Sequence, residues 1–246
     1  MASTATAVAS HPASSACRSA LRDDEQGVPR SLRLLAALVE ANAIRHADAA
    51  SRPAESDLLR AFRGGAAARR APTVSITEFL DRVNRFISLE SVRHVIRLEG
   101  TSYVLAGIYL IRFMRSPAAQ EAGIQVEPTT AHRLVAVALF LGAKFGGPDD
   151  TLPTRWTFVF EVSSDGAIRA HEIAELEERF LRAVNFRLFV DGEEFDWFCG
   201  ILEQAPPAPS RSCSGSKRKA EVVEVEGEDE RRCVRACLPS PAVVAN

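Results

Sequence analysis

The most regular feature of the chain is a long apolar run near its middle. Residues 129–147 read TTAHRLVAVALFLGAKFGG, and no side chain from Leu134 to Ala143 is polar. A helix that is apolar on every side is surrounded by other helices, so we expect a buried central helix here. The run is too short to span a bilayer, which takes about 20 apolar residues. Two glycines and a proline follow Lys144 and Phe145 and predict where the helix ends.

Apolar side chains recur at helical spacing on both sides of this run and predict further helices. Ser75 and Glu78 form a capping box that predicts the start of one of them. The only strand candidate, RLFV at 187–190, is interpreted as a loop between two helices. The sequence therefore predicts an all-α fold, with amphipathic helices at 28–47, 76–87, 102–113, 170–185 and 195–202 and a short helix near 156–162.

Composition divides the chain into a helical domain and flanking segments. The start is rich in Ala and Ser, and the end passes from APPAPS through a basic KRK to an acidic EVVEVEGEDE without apolar periodicity. Such segments bury too little apolar surface to fold, so both termini are predicted to be disordered. The predicted organisation is a disordered N-terminus at 1–27, an N-terminal helix at 28–47, a linker at 48–71, one compact helical domain at 72–203 and a disordered tail at 204–246.

Charge and cysteine usage narrow the possible partners. The formal net charge is -2 and the pI is about 6.2, which argues against nucleic acid as the main partner. The first residues, MASTATAVAS, are not expected to be a secretory signal, because no charged segment precedes a long apolar run. The five cysteines show no framework spacing, so free thiols in a reducing compartment are expected. Cys233 and Cys237, at helical spacing, are alternative metal ligands, but no histidine lies near them and free thiols are favoured.

The sequence contains no motif that carries catalysis. It lacks a glycine-rich phosphate loop, a nucleophile elbow and an HExxH pattern, and its five histidines are scattered. His132, at the start of the central run, is interpreted as a histidine that faces a neighbouring turn. We therefore predict a protein that is not an enzyme and that needs no metal or other cofactor.

Four segments in order carry a resemblance to a known family. PTVSITEFLDRVNRF, IYLIRF, AHRLVAVALFLGAKF and LEERFLRAVNFRLFV resemble the cyclin box, and more narrowly the P-type (U-type) cyclins of plants, which are related to fungal cyclins of phosphate signalling. The resemblance covers about residues 28–203. It implies a bundle of about five helices around a buried third helix, placed at 72–203 here. It also implies binding and activation of a cyclin-dependent kinase, whose C-helix packs on the third and fifth box helices.

The resemblance also implies which residues contact the kinase. Lys144 and Glu177 match the charged pair that bonds to backbone groups at the C-helix. Arg82 matches an arginine that braces the box internally. The apolar positions of the kinase pocket are matched by Leu141, Phe145, Leu181 and Leu188. These assignments have simpler alternatives. Lys144 can be a cation at a helix C-terminus, and its pair with Glu177 can be an ordinary surface pair. Leu141 and Phe145 can be core residues.

The chain departs from the family pattern at several positions. Ile111 replaces the aspartate that partners the first-helix arginine, residues 89–100 resemble an insertion, and Gly146 and Gly147 stand where acidic residues are common. Asp81 and Arg85 occupy positions that are apolar in the substrate-docking patch of mitotic-type cyclins. We therefore expect no recruitment of substrates by that patch.

These observations predict a regulatory subunit that forms a heterodimer with a cyclin-dependent kinase, of the plant A type, in cell-cycle or nutrient-linked signalling. No membrane partner and no nucleic acid are expected, and the location is the nucleus, the cytoplasm or both. The alternative is a cyclin-fold adaptor in transcription that binds protein or nucleic acid without activating a kinase. Lys217, Arg218 and Lys219 are either a nuclear-import signal or solvated charges, with equal weight given to both.

Overall fold

A computed structural model of the chain describes residues 14–46, 56–64, 72–89, 98–146 and 156–204. The prediction of an all-α fold is confirmed, and no β-sheet forms within these ranges. The helices, in chain order, are α1 (Ser15–Ala20), α2 (Arg30–Arg45), α3 (Asp57–Arg63), α4 (Ile76–Leu89), α5 (Gly100–Arg115), α6 (Pro117–Glu121), α7 (Ala131–Gly146), α8 (Trp156–Ser163), α9 (Glu172–Ala183) and α10 (Gly192–Glu203).

Helix α7 is the buried centre of the bundle, as its apolar run predicts. Every residue from Ala131 to Ala143 is buried. Thr130 organises the turn before the helix, because its hydroxyl accepts from the amide of Glu127 and donates to the carbonyl of Gln125. The C-terminal turn alone emerges from the core, where Lys144 and Phe145 are exposed.

Two glycines set the closest helix contacts around this centre. A Cβ atom at Gly142 of α7 would lie 2.5 Å from the carbonyl oxygen of Ser102, in the first turn of α5. A Cβ atom at Gly107, on α5, would lie 2.2 Å from the ring of Phe198 of α10. Both positions therefore require glycine for α7 and α10 to pack against α5 at this distance.

Helix α2 packs against α4 and α5 and supplies part of the cap of α4. The amide of Glu78 donates to the hydroxyl of Ser75 at 3.1 Å, which is half of the predicted capping box. The amide of Thr77 donates instead to Glu40 of α2 at 2.9 Å. The carboxylate of Glu78 pairs with Arg82. Glu40 of α2 therefore accepts from one of the first amides of α4, a contact between distant residues that sequence spacing could not predict.

The structure differs from the prediction of disorder over 1–27. Residues 14–27 are ordered as α1 and a turn, whereas 1–13 lie outside the described residues. Helix α1 packs on α10, where Cys17 and Ala20 are buried and the hydroxyl of Ser14 donates to Asp196 at 3.3 Å. Burial raises the pKa of the Cys17 thiol. The tertiary contact with α10 stabilises a helix too short to form alone.

The predicted linker at 48–71 also contains a helix. Ser56 caps α3 by accepting from the amide of Leu59 at 3.1 Å. Leu59 and Phe62 are fully buried, and the ring of Phe62 lies 5.0 Å from that of Phe113 in α5. Two apolar side chains three residues apart are enough to attach α3 to the core. The predicted insertion at 89–100 and the tail at 204–246 lie mostly outside the described residues.

Candidate protein-binding surface

The predicted charged pair lies where α7 ends against α9. The ammonium Nζ of Lys144 is 3.0 Å from Oε1 of Glu177. The lysine side chain is 43% exposed and the glutamate side chain 15%, so the pair lies at the boundary of core and solvent. The structure thus brings together two residues that are 33 positions apart in sequence.

Two aromatic rings flank the ammonium group. Nζ of Lys144 lies 5.8 Å from the ring centroid of Phe140 and 5.8 Å from that of Phe145. A cation at this distance from an aromatic face is attracted by the ring quadrupole. Phe140 is nearly buried, whereas Phe145 is 51% exposed. The ammonium group is therefore held beside an apolar side chain that a partner can cover.

Leu141 departs from the prediction. It was expected to line the kinase pocket, but it is 0% exposed in the core. Leu141 lies on a face of α7 that turns inward, three residues before Lys144, and a partner could reach it only if the bundle opened. The alternative interpretation of Leu141 as a core residue therefore describes this structure. Phe145, in contrast, lies on the surface as expected.

The remaining apolar positions continue the surface along α9. Leu181 follows Glu177 by one helical turn and is partly buried, as is Leu188 in the loop after the helix. Lys144, Phe145, Glu177, Leu181 and Leu188 are called the α7–α9 surface below. Its chemistry is a donor and an acceptor beside apolar side chains, which is the anatomy of a protein interface.

The loop after α9 presents aromatic residues that sequence reasoning missed. Phe186 is 63% exposed and Phe189 is 85% exposed. Asn185 and Phe186 both have positive φ, 53° and 56°. A bulky residue in this conformation is unusual and marks a backbone held by its surroundings. Two phenylalanines in the segment FRLFV at 186–190 were the available sequence signal.

Side chains of α5 hold this loop in place. The Tyr109 hydroxyl donates to the carbonyl of Leu188 at 3.0 Å. The Arg112 guanidinium donates to the carbonyls of Arg187 at 2.7 Å and Phe189 at 2.8 Å and also pairs with Glu194 of α10. Both residues belong to the IYLIRF segment. The loop that carries Leu188 is thus positioned by α5.

Arg82 forms ion pairs, although with different partners from the expected one. Its guanidinium contacts Asp165 and Glu78, each at 2.7 Å, so it ties α4 to the turn after α8. Ile111, which stands in place of the family's aspartate, is buried in the core. Asp165 and Glu78 are therefore the carboxylates that pair with Arg82 in this structure.

A second arginine forms an internal brace that the sequence analysis did not identify. Arg133 of α7 is 2% exposed, and its guanidinium donates to the carbonyls of Ala167 at 2.6 Å and Arg63 at 3.4 Å. It also lies 3.3 Å from a carboxylate oxygen of Glu172 in the first turn of α9. Arg133 thus connects α3, α7 and the start of the helix that carries Glu177.

His132 has a structural place next to this brace. Its Nε2 lies 2.8 Å from the carbonyl oxygen of Val74, and since a carbonyl only accepts, Nε2 carries the proton. Nδ1 is buried and has no hydrogen-bond partner among the described residues. Burial lowers the pKa of His132 to about 4, and the nearby charge of Arg133 adds to this effect. The ring is therefore neutral at physiological pH and holds the segment before α4.

Other predicted features lie elsewhere. Lys217, Arg218, Lys219, Cys233 and Cys237 are outside the described residues. Within the described ranges, no helix is long and apolar enough to cross a membrane. The same part of the chain holds no group of three His, Cys, Asp or Glu side chains arranged for a metal ion.

Comparisons with known proteins identify the family. The chain matches the family profile described as Cyclin over residues 26–188. It is 22% identical over 183 residues to Cyclin-U2-1 of Arabidopsis thaliana, covering 74% of this chain and 72% of the relative. It is 28% identical over 176 residues to Cyclin-P3-1 of Oryza sativa subsp. japonica, covering 72% and 64%. Cyclin-U2-2 of Arabidopsis thaliana is 24% identical over 136 residues, covering 55% and 51%.

These matches confirm the resemblance to the U-type and P-type cyclins of plants. The chain spans between half and three quarters of the length of these relatives. The profile match begins before α2 and ends at Leu188, so it contains every residue of the α7–α9 surface. Because it covers more than half of a helical chain with a central buried helix, the protein belongs to the cyclin family.

Proposed function

We propose that the chain is the regulatory subunit of a cyclin-dependent kinase and binds it through the α7–α9 surface. The observation that carries this proposal is the pair of Lys144 and Glu177, held 3.0 Å apart beside the exposed ring of Phe145. The ends of a partner's helices leave backbone groups unpaired, carbonyls at the C-terminus and amides at the N-terminus. The ammonium group of Lys144 donates to the carbonyls, and the carboxylate of Glu177 accepts from the amides.

The apolar part of the surface supplies the binding energy in this proposal. Phe145 exposes 51% of its surface. Covering an aromatic side chain contributes about 25 cal/mol per Å² of apolar area. Aromatic residues near the centre of an interface commonly dominate its affinity. Leu181 and Leu188, already packed against the core, form a rigid floor for these contacts.

Activation follows from binding without any chemistry by this chain. A kinase C-helix that exchanges between two positions is shifted toward the one that contacts the α7–α9 surface, because only that state gains the contacts. A cyclin-dependent kinase of the plant A type, in a heterodimer, is the proposed partner. Cell-cycle control or nutrient-linked signalling, in the nucleus, the cytoplasm or both, is the proposed setting.

A direct experiment is to co-express the full chain with a panel of plant cyclin-dependent kinases. The complex is purified by a tag on the kinase, and histone kinase activity is compared with that of the kinase alone. The proposal expects a stable complex and a large rise in activity with at least one kinase. Absence of both with every kinase of the panel contradicts it.

The same experiment distinguishes the adaptor alternative. A complex that forms without a rise in activity indicates a cyclin-fold adaptor. Binding of nucleic acid by such an adaptor is disfavoured by the formal net charge of -2.

A further inference from the structure

A second surface lies between the end of α5, the start of α6 and the loop after α9. It is an open groove of about 840 Å³. Its apolar lining includes Pro117, Phe186, Leu188 and Phe189, and its polar lining includes three arginines. None of the lining residues, within the part of the chain that the structure describes, is acidic. The groove is therefore apolar and basic together.

The three arginines differ in what they bind. Arg112 is committed to Glu194 and to two carbonyls of the loop. Arg115 and Arg187 are exposed, and no ion pair joins either to a carboxylate of the described residues. The guanidinium of Arg115 lies 5.8 Å from the ring centroid of Trp197, which keeps it at the groove. Two positive charges thus face an apolar groove, and neither is paired with a carboxylate of the described residues.

One aromatic residue that lines this groove, Phe186, has a strained backbone conformation. Phe186 has a φ of 56°, a conformation that a bulky side chain rarely adopts, and its amide donates to the carbonyl of Leu181 at 2.8 Å. The result is an aromatic ring that is 63% exposed next to Arg187. Strain that keeps an apolar ring in solvent is typical of a surface that binds something.

We propose that the acidic segment 221–230 of this chain's own tail occupies the groove. The segment reads EVVEVEGEDE, which contains six carboxylates and three valines. The carboxylates complement Arg115 and Arg187, and charge-assisted pairs between arginine and carboxylate are the strong ones. The valines fit the apolar lining. The segment therefore carries carboxylates for the arginines and apolar side chains for the rest of the lining.

The tail is long enough to reach this position. Helix α10 begins at Gly192, three positions after Phe189, and its 12 residues span about 18 Å. Residues 205–220 separate the end of α10 from the acidic segment, and they extend up to about 55 Å. A tether of this length holds the segment near millimolar effective concentration, so a weak intrinsic affinity is enough.

Tail binding has one functional consequence. Leu188 lines the groove and also belongs to the α7–α9 surface. A docked tail therefore competes with a kinase at this residue. This consequence rests on the proposed function, whereas the docking itself does not.

Hydrogen exchange of the full chain, measured by mass spectrometry without a kinase, tests the docking. The tail variant changes every carboxylate of 221–230 to its amide (E221Q, E224Q, E226Q, E228Q, D229N, E230Q). We expect amides of 183–189 to exchange about tenfold faster in this variant than in the natural chain. This is the protection that the docked tail gives when its effective concentration exceeds the Kd of docking about tenfold. Amides of α7 serve as the internal control and should not change.

A groove variant and a rescue complete the test. R115E with R187E should raise exchange at 183–189 in the same way, and combining it with lysines at the six acidic tail positions should restore protection. If the groove variant disturbs α7, the tail variant alone decides, since its changes lie outside the described fold. Equal exchange at 183–189 in the natural chain and the tail variant overturns the proposal. Protection that grows with protein concentration also overturns it, because a second copy is then the occupant.

Discussion

Gly64, which ends α3, lies directly against the guanidinium of Arg133. A Cβ atom at Gly64 would lie 2.5 Å from Nη2 of Arg133, and φ at this glycine is +83°. Gly64→Ala should therefore displace the internal brace as well as strain the backbone. We expect a loss of about 2–4 kcal/mol in the free energy of unfolding, measured by urea denaturation.

Gly27→Ala is the control for this change. Gly27 also has a positive φ, +74°, but a Cβ atom there would contact nothing within 4 Å. Gly27→Ala should lose only the free energy of unfolding that a positive φ costs a residue with a Cβ atom, about 1–2 kcal/mol. Equal losses in the two variants would mean that contact with Arg133 does not restrict position 64.

Gly142 offers a second test, at the contact between α5 and α7. Its missing Cβ would lie 2.5 Å from the carbonyl oxygen of Ser102, which is backbone and cannot turn aside. Gly142→Ala should cost about 1–3 kcal/mol, since the two helices must separate. Thermal and urea unfolding followed by circular dichroism measure the loss.

Gly200→Ala is the corresponding control on α10. A Cβ atom at Gly200 meets nothing within 4 Å, and alanine favours a helix by about 0.5–1 kcal/mol over glycine. This variant should be neutral or slightly more stable. A Gly142→Ala protein as stable as the natural chain would show that α5 and α7 are not packed as closely as described.

His132 predicts a pH dependence of stability. Its pKa is about 4 in the folded chain, against an ordinary value of 6.5, so protons bind the unfolded chain first as the pH falls. Stability supplied by the neutral ring is complete above pH 6.5 and declines as the pH falls toward 4. Between pH 7.5 and 5.5 we expect a loss of about 1 kcal/mol from this residue.

His132→Gln isolates that contribution, because glutamine can donate to the Val74 carbonyl without titrating in this range. Urea unfolding at pH 7.5 and 5.5 should show a smaller pH-dependent loss in the variant than in the natural chain. An identical pH dependence in both proteins would exclude His132 as its source.

The sequence predicted the elements whose pattern is strong and local. Helix α7 was expected within 129–147 and spans Ala131–Gly146, because a long apolar run that ends at two glycines has few alternatives. Helices α1 and α3 were not predicted, because six and seven residues carry too little periodicity. Their stability comes from contacts with α10 and α5, which are distant in sequence.

The candidate site was predictable only in part for the same reason. The family resemblance placed Lys144 and Glu177, and the structure brings them into contact. In the sequence, Arg133 is a charged residue near the start of a helix. Its burial depends on the carbonyls of residues 63 and 167, which are distant in sequence. The exposed ring of Phe186 depends on a positive φ that no local pattern indicates.

The most direct test of the account is the affinity of the chain for a kinase that it co-purifies with. The dissociation constant is measured by biolayer interferometry for the natural chain, Lys144→Ala, Glu177→Ala and the double variant. The control is Glu175→Ala with Arg179→Ala, which removes an ion pair from the same helix outside the α7–α9 surface. The account predicts that each single variant binds about tenfold or more weakly, a loss of at least about 1.4 kcal/mol, and that the control binds as the natural chain does. A natural chain that binds the kinase while Lys144→Ala and Glu177→Ala bind equally well would contradict it.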